Sequence, residues 1–89
     1  MAIRISATPS VTRTFIISLV NRRTGSPIKV PETMTLTIAS EMGGHQLSSE
    51  RFLEMRAASI IRRQIYQSPE LIQQYAPYDW DVTATLVKD

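Results

Sequence analysis

The amino-acid sequence predicts a small α+β domain: a four-stranded, mainly antiparallel sheet, in the element order β-β-β-α-α-β, with one long helix packed on one face. Three observations predict this class. Several segments alternate apolar and polar residues, which is typical of strands with one buried face. Residues 49–67 instead repeat their apolar residues with helical spacing. A length of 89 residues supports one hydrophobic core, so we expect a single domain over residues 1–89.

Four segments have the composition of strands. Residues 2–7 alternate isoleucine with polar side chains. Residues 13–21 are rich in β-branched and aromatic residues and are apolar on both faces, which favours a central strand. Residues 34–40 and 79–88 alternate strictly, and each places one row of apolar side chains toward the expected core.

The opposite face of this sheet is predicted to be rich in threonine. It would be interrupted by a few aliphatic side chains, so two interpretations stay open: a solvated face, which we favour, or a contact between the sheets of two copies. The threonines concerned are Thr35, Thr37, Thr83 and Thr85.

The connecting segments contain turn signals. Gly25 and Pro27 mark a hairpin connection, and Pro31 excludes a central strand directly after it. Residues 41–46 contain paired glycines, which predict a loop.

Both helices begin with recognisable signals. Ser48 is the expected N-cap of the long helix, with Leu47 and Phe52 placed to form a hydrophobic staple across it. Ser68 followed by Pro69 predicts the start of a short second helix, because proline at the first helical position loses no hydrogen bond.

Composition narrows the class of protein. The chain has 43% hydrophobic and 20% charged residues, which is typical of a folded domain, and no cysteine, which excludes disulfides and thiolate metal sites. A net charge of +2 does not by itself indicate nucleic-acid binding. We find no apolar run long enough to cross a membrane. We expect a cytoplasmic location, in the host cytoplasm or a virion if the protein is viral.

The side of the long helix that faces away from the sheet is the most informative feature of the sequence. It mixes arginine with phenylalanine, methionine and tyrosine, which are residue types enriched at protein interfaces. A purely solvated helix face would instead mix lysine with glutamate. We therefore predict a partner-binding surface made of Arg51, Phe52, Met55, Arg56, Ser59, Arg62, Arg63 and Tyr66.

These features favour a non-enzymatic protein-interaction or assembly protein, acting in a homo-oligomer or a larger complex. A small protein of a virus or mobile element would fit the brevity of the chain. The alternative is a nucleic-acid-binding module that uses the same helix face together with the loop of residues 22–29. In that case Arg22, Arg23 and Lys29 would contact phosphates.

Candidates for catalysis and metal binding are weak. His45 is the one histidine, and no nucleophile motif accompanies it. Asp79 and Asp81 share a strand face but provide too few ligands for a hard cation. No glycine-rich phosphate loop occurs. We expect no enzymatic activity, no metal and no cofactor, and an active site formed between subunits is the less favoured alternative.

Overall fold

The structure is a computed structural model that describes residues 9–40 and 44–88, with the backbone alone described at residues 44 and 45. Apolar alternation, caps and turn residues divide the chain into three strands, two α-helices and one short 3-10 helix within these ranges. In chain order they are β1 (Ser10–Asn21), β2 (Glu32–Ala39), the 3-10 helix (Gly44–Ser48), α1 (Glu50–Tyr66), α2 (Pro69–Tyr75) and β3 (Trp80–Leu86).

The sheet has the order β2-β1-β3, and β1 is antiparallel to both neighbours. The predicted central position of β1 is therefore confirmed. β2 pairs with the first part of β1, from Ser10 to Ile17, and β3 pairs with the last part, from Phe15 to Asn21. The two outer strands overlap only around the middle of β1.

The prediction of four strands with one long helix was wrong, because the described residues form a three-stranded antiparallel sheet and two helices. β1 begins at Ser10, three positions before the predicted start, and its 12 residues provide pairing partners for β2 on one edge and β3 on the other. The predicted strand at residues 2–7 lies outside the described residues.

The connection from β1 to β2 contains the predicted turn. The N–H of Gly25 donates to the carbonyl of Asn21 at 2.7 Å, and Gly25 has a φ of 75°, a left-handed conformation that glycine adopts without steric cost. Beyond the turn, Val20 forms an isolated bridge with Pro27 before β2 begins.

Both α-helices are capped by serine. The N-cap of α1 is Ser49 and not the predicted Ser48, which ends the preceding 3-10 helix. The hydroxyl of Ser49 accepts from the N–H of Phe52 at 3.3 Å. At α2 the hydroxyl of Ser68 accepts from the N–H of Leu71 at 3.4 Å, and Pro69 occupies the first turn as predicted.

The core lies between one face of the sheet and the two helices. The side chains of β3 that were predicted to point inward lie there, with Val82 and Leu86 buried and Trp80 and Ala84 partly buried. One row of β1 is buried beside them beneath one side of α1. Because each β-strand alternates its faces, the threonines lie on the other side, where the hydroxyls of Thr12 and Thr37 are 3.0 Å apart. The main buried side chains are Phe15, Ile17, Leu19, Ile38, Leu53, Ala57, Ile61, Ile65, Tyr75, Val82 and Leu86.

Substitution of two neighbouring isoleucines of β1 tests which face of the sheet is covered by the helices. Ile17 is 8% exposed and Ile16 is 42% exposed. We expect Ile17→Ala to lower the free energy of unfolding by about 2–5 kcal/mol, because it removes buried methyl groups and leaves a cavity. Ile16→Ala, the matched control, should cost about 1 kcal/mol or less. Urea denaturation measures both, and equal losses would contradict the one-sided core.

Candidate functional site

The structure brings the predicted surface residues together on the outer side of α1. We call this surface the arginine face; it consists of Arg51, Phe52, Met55, Arg56, Ser59, Arg62, Arg63 and Tyr66. Met55 and Tyr66 are 62% and 60% exposed, so this side of α1 carries two large side chains that face solvent. Arg51, Arg56 and Arg63 are exposed as well, while the remaining three residues are partly buried.

Tyr66 is held in place although it is exposed. Its ring lies 5.3 Å from that of Trp80 between centroids, at an interplanar angle of 44°. Trp80 begins β3, and its other ring neighbour is Tyr75 of α2 at 6.4 Å. This tilted arrangement is a favourable one for aromatic rings. The end of the arginine face is therefore supported by the sheet and by the second helix.

Arg62 differs from the other arginines because it has an acidic partner in β3. Its Nη2 and Nε donate to Oδ1 of Asp81 at 2.8 and 3.2 Å, and the same oxygen accepts from the N–H of Val82 at 2.8 Å. Partial burial alone would raise the pKa of Asp81. The hydrogen bonds from Val82 and Arg62 and the charges of Arg62 and Arg22 outweigh burial, so the pKa of Asp81 lies below its usual 3.8.

The other three arginines of α1 form no ion pair within the described part of the chain. These are Arg51, Arg56 and Arg63. The two acids of α1 are already engaged: Glu50 pairs with Lys88 at 3.0 Å, and Glu54 accepts a backbone hydrogen bond. The arginine face therefore presents three uncompensated guanidinium groups beside exposed apolar side chains.

The basic residues of the 22–29 loop are arranged differently. Arg22 and Arg23 both lie near Asp79, at 3.8 and 3.6 Å, and Lys29 lies 3.5 Å from Glu32. All three cations are exposed, so these pairs are weak. Even so, each loop cation predicted to contact phosphate has an acid beside it, which lowers the positive potential of the loop.

A groove of about 590 Å³ runs between α1 and the outer edge of β3. Its helix wall includes Met55, Ser59 and Arg56 of the arginine face, and its strand wall includes Val82 and Ala84. This volume is within the range of about 300–1,000 Å³ that is usual for ligand sites. The arginine face is thus continuous with a concave site at a sheet edge.

Two carboxylates cap this edge of β3. The N–H of Val82 donates to Asp81, and the N–H of Leu86 donates to Oε2 of Glu54 at 2.8 Å. Near the start of β3, the guanidinium of Arg22 donates to the carbonyl of Trp80 at 3.2 Å. Unpaired edges invite pairing with other chains, and charged side chains of this kind limit it.

A second, smaller cavity of about 190 Å³ lies between the sheet and the two helices. Its walls are mostly apolar and include Met34, Leu71 and Tyr75, with the Lys29–Glu32 pair also lining it. Its volume is below the usual range for ligand sites, so we assign it no ligand.

The described residues contain no group of three or more acidic, histidine or cysteine side chains that could hold a metal ion. Asp79 and Asp81, the pair considered for a cation, are engaged by arginines. The side chain of His45 lies outside the described residues. Within the same ranges, no helix has the length and apolarity needed to span a membrane.

Sequence reasoning missed three contributors to this site. Asp81 and Trp80 belong to β3, and only the pairing of β3 with β1 brings them beside the arginine face. Glu54 lies on the flank of α1 itself, and the position of β3 makes it the acceptor of the Leu86 N–H. The spacing of Glu54 on the flank of α1 was a signal, since a carboxylate there points toward a neighbouring strand. Nothing in the sequence indicates which arginine meets Asp81.

The Arg62–Asp81 pair predicts a pH-dependent stability. Because folding lowers the pKa of Asp81, its ionised form stabilises the protein above about pH 3.8 and this stabilisation is lost as the pH falls through the folded-state pKa. We expect Asp81→Asn to cost about 1 kcal/mol in unfolding free energy near pH 7. The difference from wild type should shrink toward about pH 3 in urea denaturation.

Asp79→Asn is the matched control for this prediction, since Asp79 also lies beside arginines but at 3.6 and 3.8 Å and 44% exposed. It should change stability by about 0.5 kcal/mol or less. A loss for Asp81→Asn that stays constant across the pH range would show that the carboxylate charge is not the cause.

No protein-family model matches the chain, and no curated protein and no solved structure matches it.

Proposed function

We propose that this protein is a non-enzymatic interaction module that binds an acidic protein partner through the arginine face of α1. The observation that carries the proposal is the set of three arginines without ion pairs, in the described part of the chain, beside the exposed side chains of Met55 and Tyr66. Arginine forms two parallel hydrogen bonds with a carboxylate, and the apolar groups supply area to bury.

The distribution of acids favours a different molecule over a second copy of this chain. Among the described residues, Glu70 is the one acid with neither an ion pair nor a side-chain hydrogen bond. A two-fold symmetric contact places the same surface on both subunits, so arginine would meet arginine. A homo-oligomer built on the arginine face would therefore lack complementary charge, and we favour assembly in a larger complex.

Nucleic acid is the second candidate for the same face, because phosphates also pair with arginine. Two observations weigh against it. The loop residues Arg22, Arg23 and Lys29 are each paired with an acid, and Glu54 and Asp81 lie beside the arginine face. Exposed Met55 is also of little use against a phosphate backbone.

A peptide-display selection on the immobilised protein tests the proposal. We expect enrichment of sequences that combine acidic and apolar residues. The double substitution Arg56→Glu with Arg63→Glu should reduce binding of the enriched peptides at least about 100-fold, because it replaces two attractive charges with repulsive ones. Fluorescence anisotropy of labelled peptides measures the affinities.

The control is Arg22→Glu with Arg23→Glu, which makes the same change of net charge in the 22–29 loop. It should leave peptide affinity within about threefold, because its residues lie outside the arginine face. Equal losses for both double variants would contradict the proposed surface.

The affinity of the protein for labelled single-stranded DNA and RNA, measured between about 50 and 200 mM salt, distinguishes a nucleic-acid partner from an acidic protein partner. Phosphate contacts weaken steeply as the salt concentration rises. Tight, salt-sensitive binding of oligonucleotides in place of peptide binding would favour nucleic acid as the partner.

A further inference from the structure

We propose that the groove between α1 and β3 binds its partner as an extended acidic segment, which adds as a strand to the outer edge of β3. The inference deepens the proposed function and rests on it, because it names the conformation of the acidic partner and the backbone groups that hold it. Two features support it. Carboxylates accept from only some of the outward N–H groups of β3, and Arg56, which pairs with no described acid, lines the same groove of about 590 Å³.

The hydrogen-bond register identifies the open part of the edge. The backbone N–H of Arg22 donates to the carbonyl of Asp79, and the backbone N–H of Val87 donates to the carbonyl of Thr14. These two bonds flank β3, and backbone groups alternate in direction along a strand. The N–H and carbonyl groups of odd-numbered residues in β3 therefore point toward β1. The N–H and carbonyl groups of even-numbered residues therefore point away from the sheet. Of these, the N–H of Val82 and that of Leu86 are capped by carboxylates.

Ala84 lies midway between the two caps, and its outward N–H has no protein partner among the described residues. The carbonyls of Val82 and Ala84 point the same way by the same register. Together they offer one donor and two acceptors to the groove. This is the pattern that an added strand uses when a peptide extends a sheet.

The walls of the groove define the chemistry of the segment. Met55 and Phe52 line its helix side and favour apolar side chains, while Arg56 provides a charge that no described residue pairs with. Arg62 lines it too, and although it pairs with Asp81 it is 38% exposed. Among the described residues that line the groove, Glu54 is the one acid, at the Leu86 end. Carboxylates of the segment would thus pair best near Arg56, away from Glu54.

The caps also argue against a second copy of β3 as the occupant. Antiparallel pairing of β3 with β3 over its full length would need the N–H groups of both Val82 and Leu86, so Asp81 and Glu54 would have to be displaced in each subunit. It would also bring the two sets of unpaired arginines to one side of the enlarged sheet. A short segment that pairs around Ala84 needs neither change.

The probe for this inference is an acetylated and amidated peptide of alternating glutamate and valine, about eight residues long, which matches the length of a typical strand. Two further peptides carry N-methyl groups on every valine or on every glutamate. In a strand all glutamate N–H groups point to one side and all valine N–H groups to the other. We expect one methylated peptide to lose affinity at least about tenfold and the other to bind like the parent.

Amide hydrogen exchange of the whole chain locates the pairing. With peptide at about ten times its dissociation constant, exchange at Ala84 should slow about tenfold, since the bound state protects its N–H. The variant Ala84→Pro removes this N–H without removing a bond to β1 and should abolish binding. Its control, Thr35→Pro, removes an outward N–H from the far edge of β2 and should leave peptide affinity unchanged.

Three results would overturn strand addition. If both methylated peptides bind like the parent and Arg56→Glu with Arg63→Glu abolishes binding, the proposed function stands and strand addition is overturned. Strand addition by an acidic segment is likewise overturned if the parent peptide does not bind. It is also overturned if hydrogen exchange at Ala84 slows with rising protein concentration in the absence of peptide. The peptide measurements use the wild-type chain, so they decide the question even if a proline variant does not fold.

Discussion

The packing of α1 across β1 and β3 is the constraint on which the rest of this structure depends. Leu53, Ala57 and Ile61 are buried against the sheet, and their burial fixes the rotation of the helix about its axis. Once that rotation is set, residues on the opposite side of α1 must face outward. The exposure of Met55 and Arg56 is therefore a consequence of core packing.

The pairing of β3 with β1 converts this helix face into a concave site. β3 is an edge strand, so its outward backbone groups lie alongside α1, and the helix sends two side chains to that edge. Arg62 reaches Asp81, which caps one end, and Glu54 caps the other. These contacts orient α1 relative to β3 and leave the stretch around Ala84 open. The edge is protected against indiscriminate sheet extension while a short part of it stays available.

Charge pairing explains why the arginine face remains unsatisfied within the chain. A net charge of +2 conceals an uneven arrangement, since every described acid except Glu70 has a local partner, such as Lys88 or Arg22. Arg51, Arg56 and Arg63 have no ion-pair partner in residues 9–40 and 44–88. Exposed guanidinium groups beside exposed methionine and tyrosine are better suited to a protein carboxylate than to water alone. This asymmetry supports an acidic partner more strongly than the overall charge does.

Local patterns in the sequence determined the position and type of the described strands and α-helices. The composition of β1, the alternation in β2 and β3, the helical spacing of α1 and the Ser68–Pro69 start of α2 are short-range signals. The inward rows predicted for β2 and β3 are confirmed, since their side chains belong to the core or pack against it. The same spacing placed the eight residues of the arginine face on one side of α1. The N-cap was displaced by one residue because two adjacent serines could each serve, and the local pattern does not choose between them.

Only the tertiary structure decided how the three described strands pair, which outward N–H groups of β3 meet a carboxylate and which arginine finds an acid. Those properties depend on contacts between residues far apart in the chain, such as Arg62 with Asp81 and Glu54 with Leu86. Periodicity describes each segment's own faces and contains no information about its neighbour or register. The groove at the β3 edge exists because α1 and β3, each predictable from its own periodicity, pack together in one particular alignment.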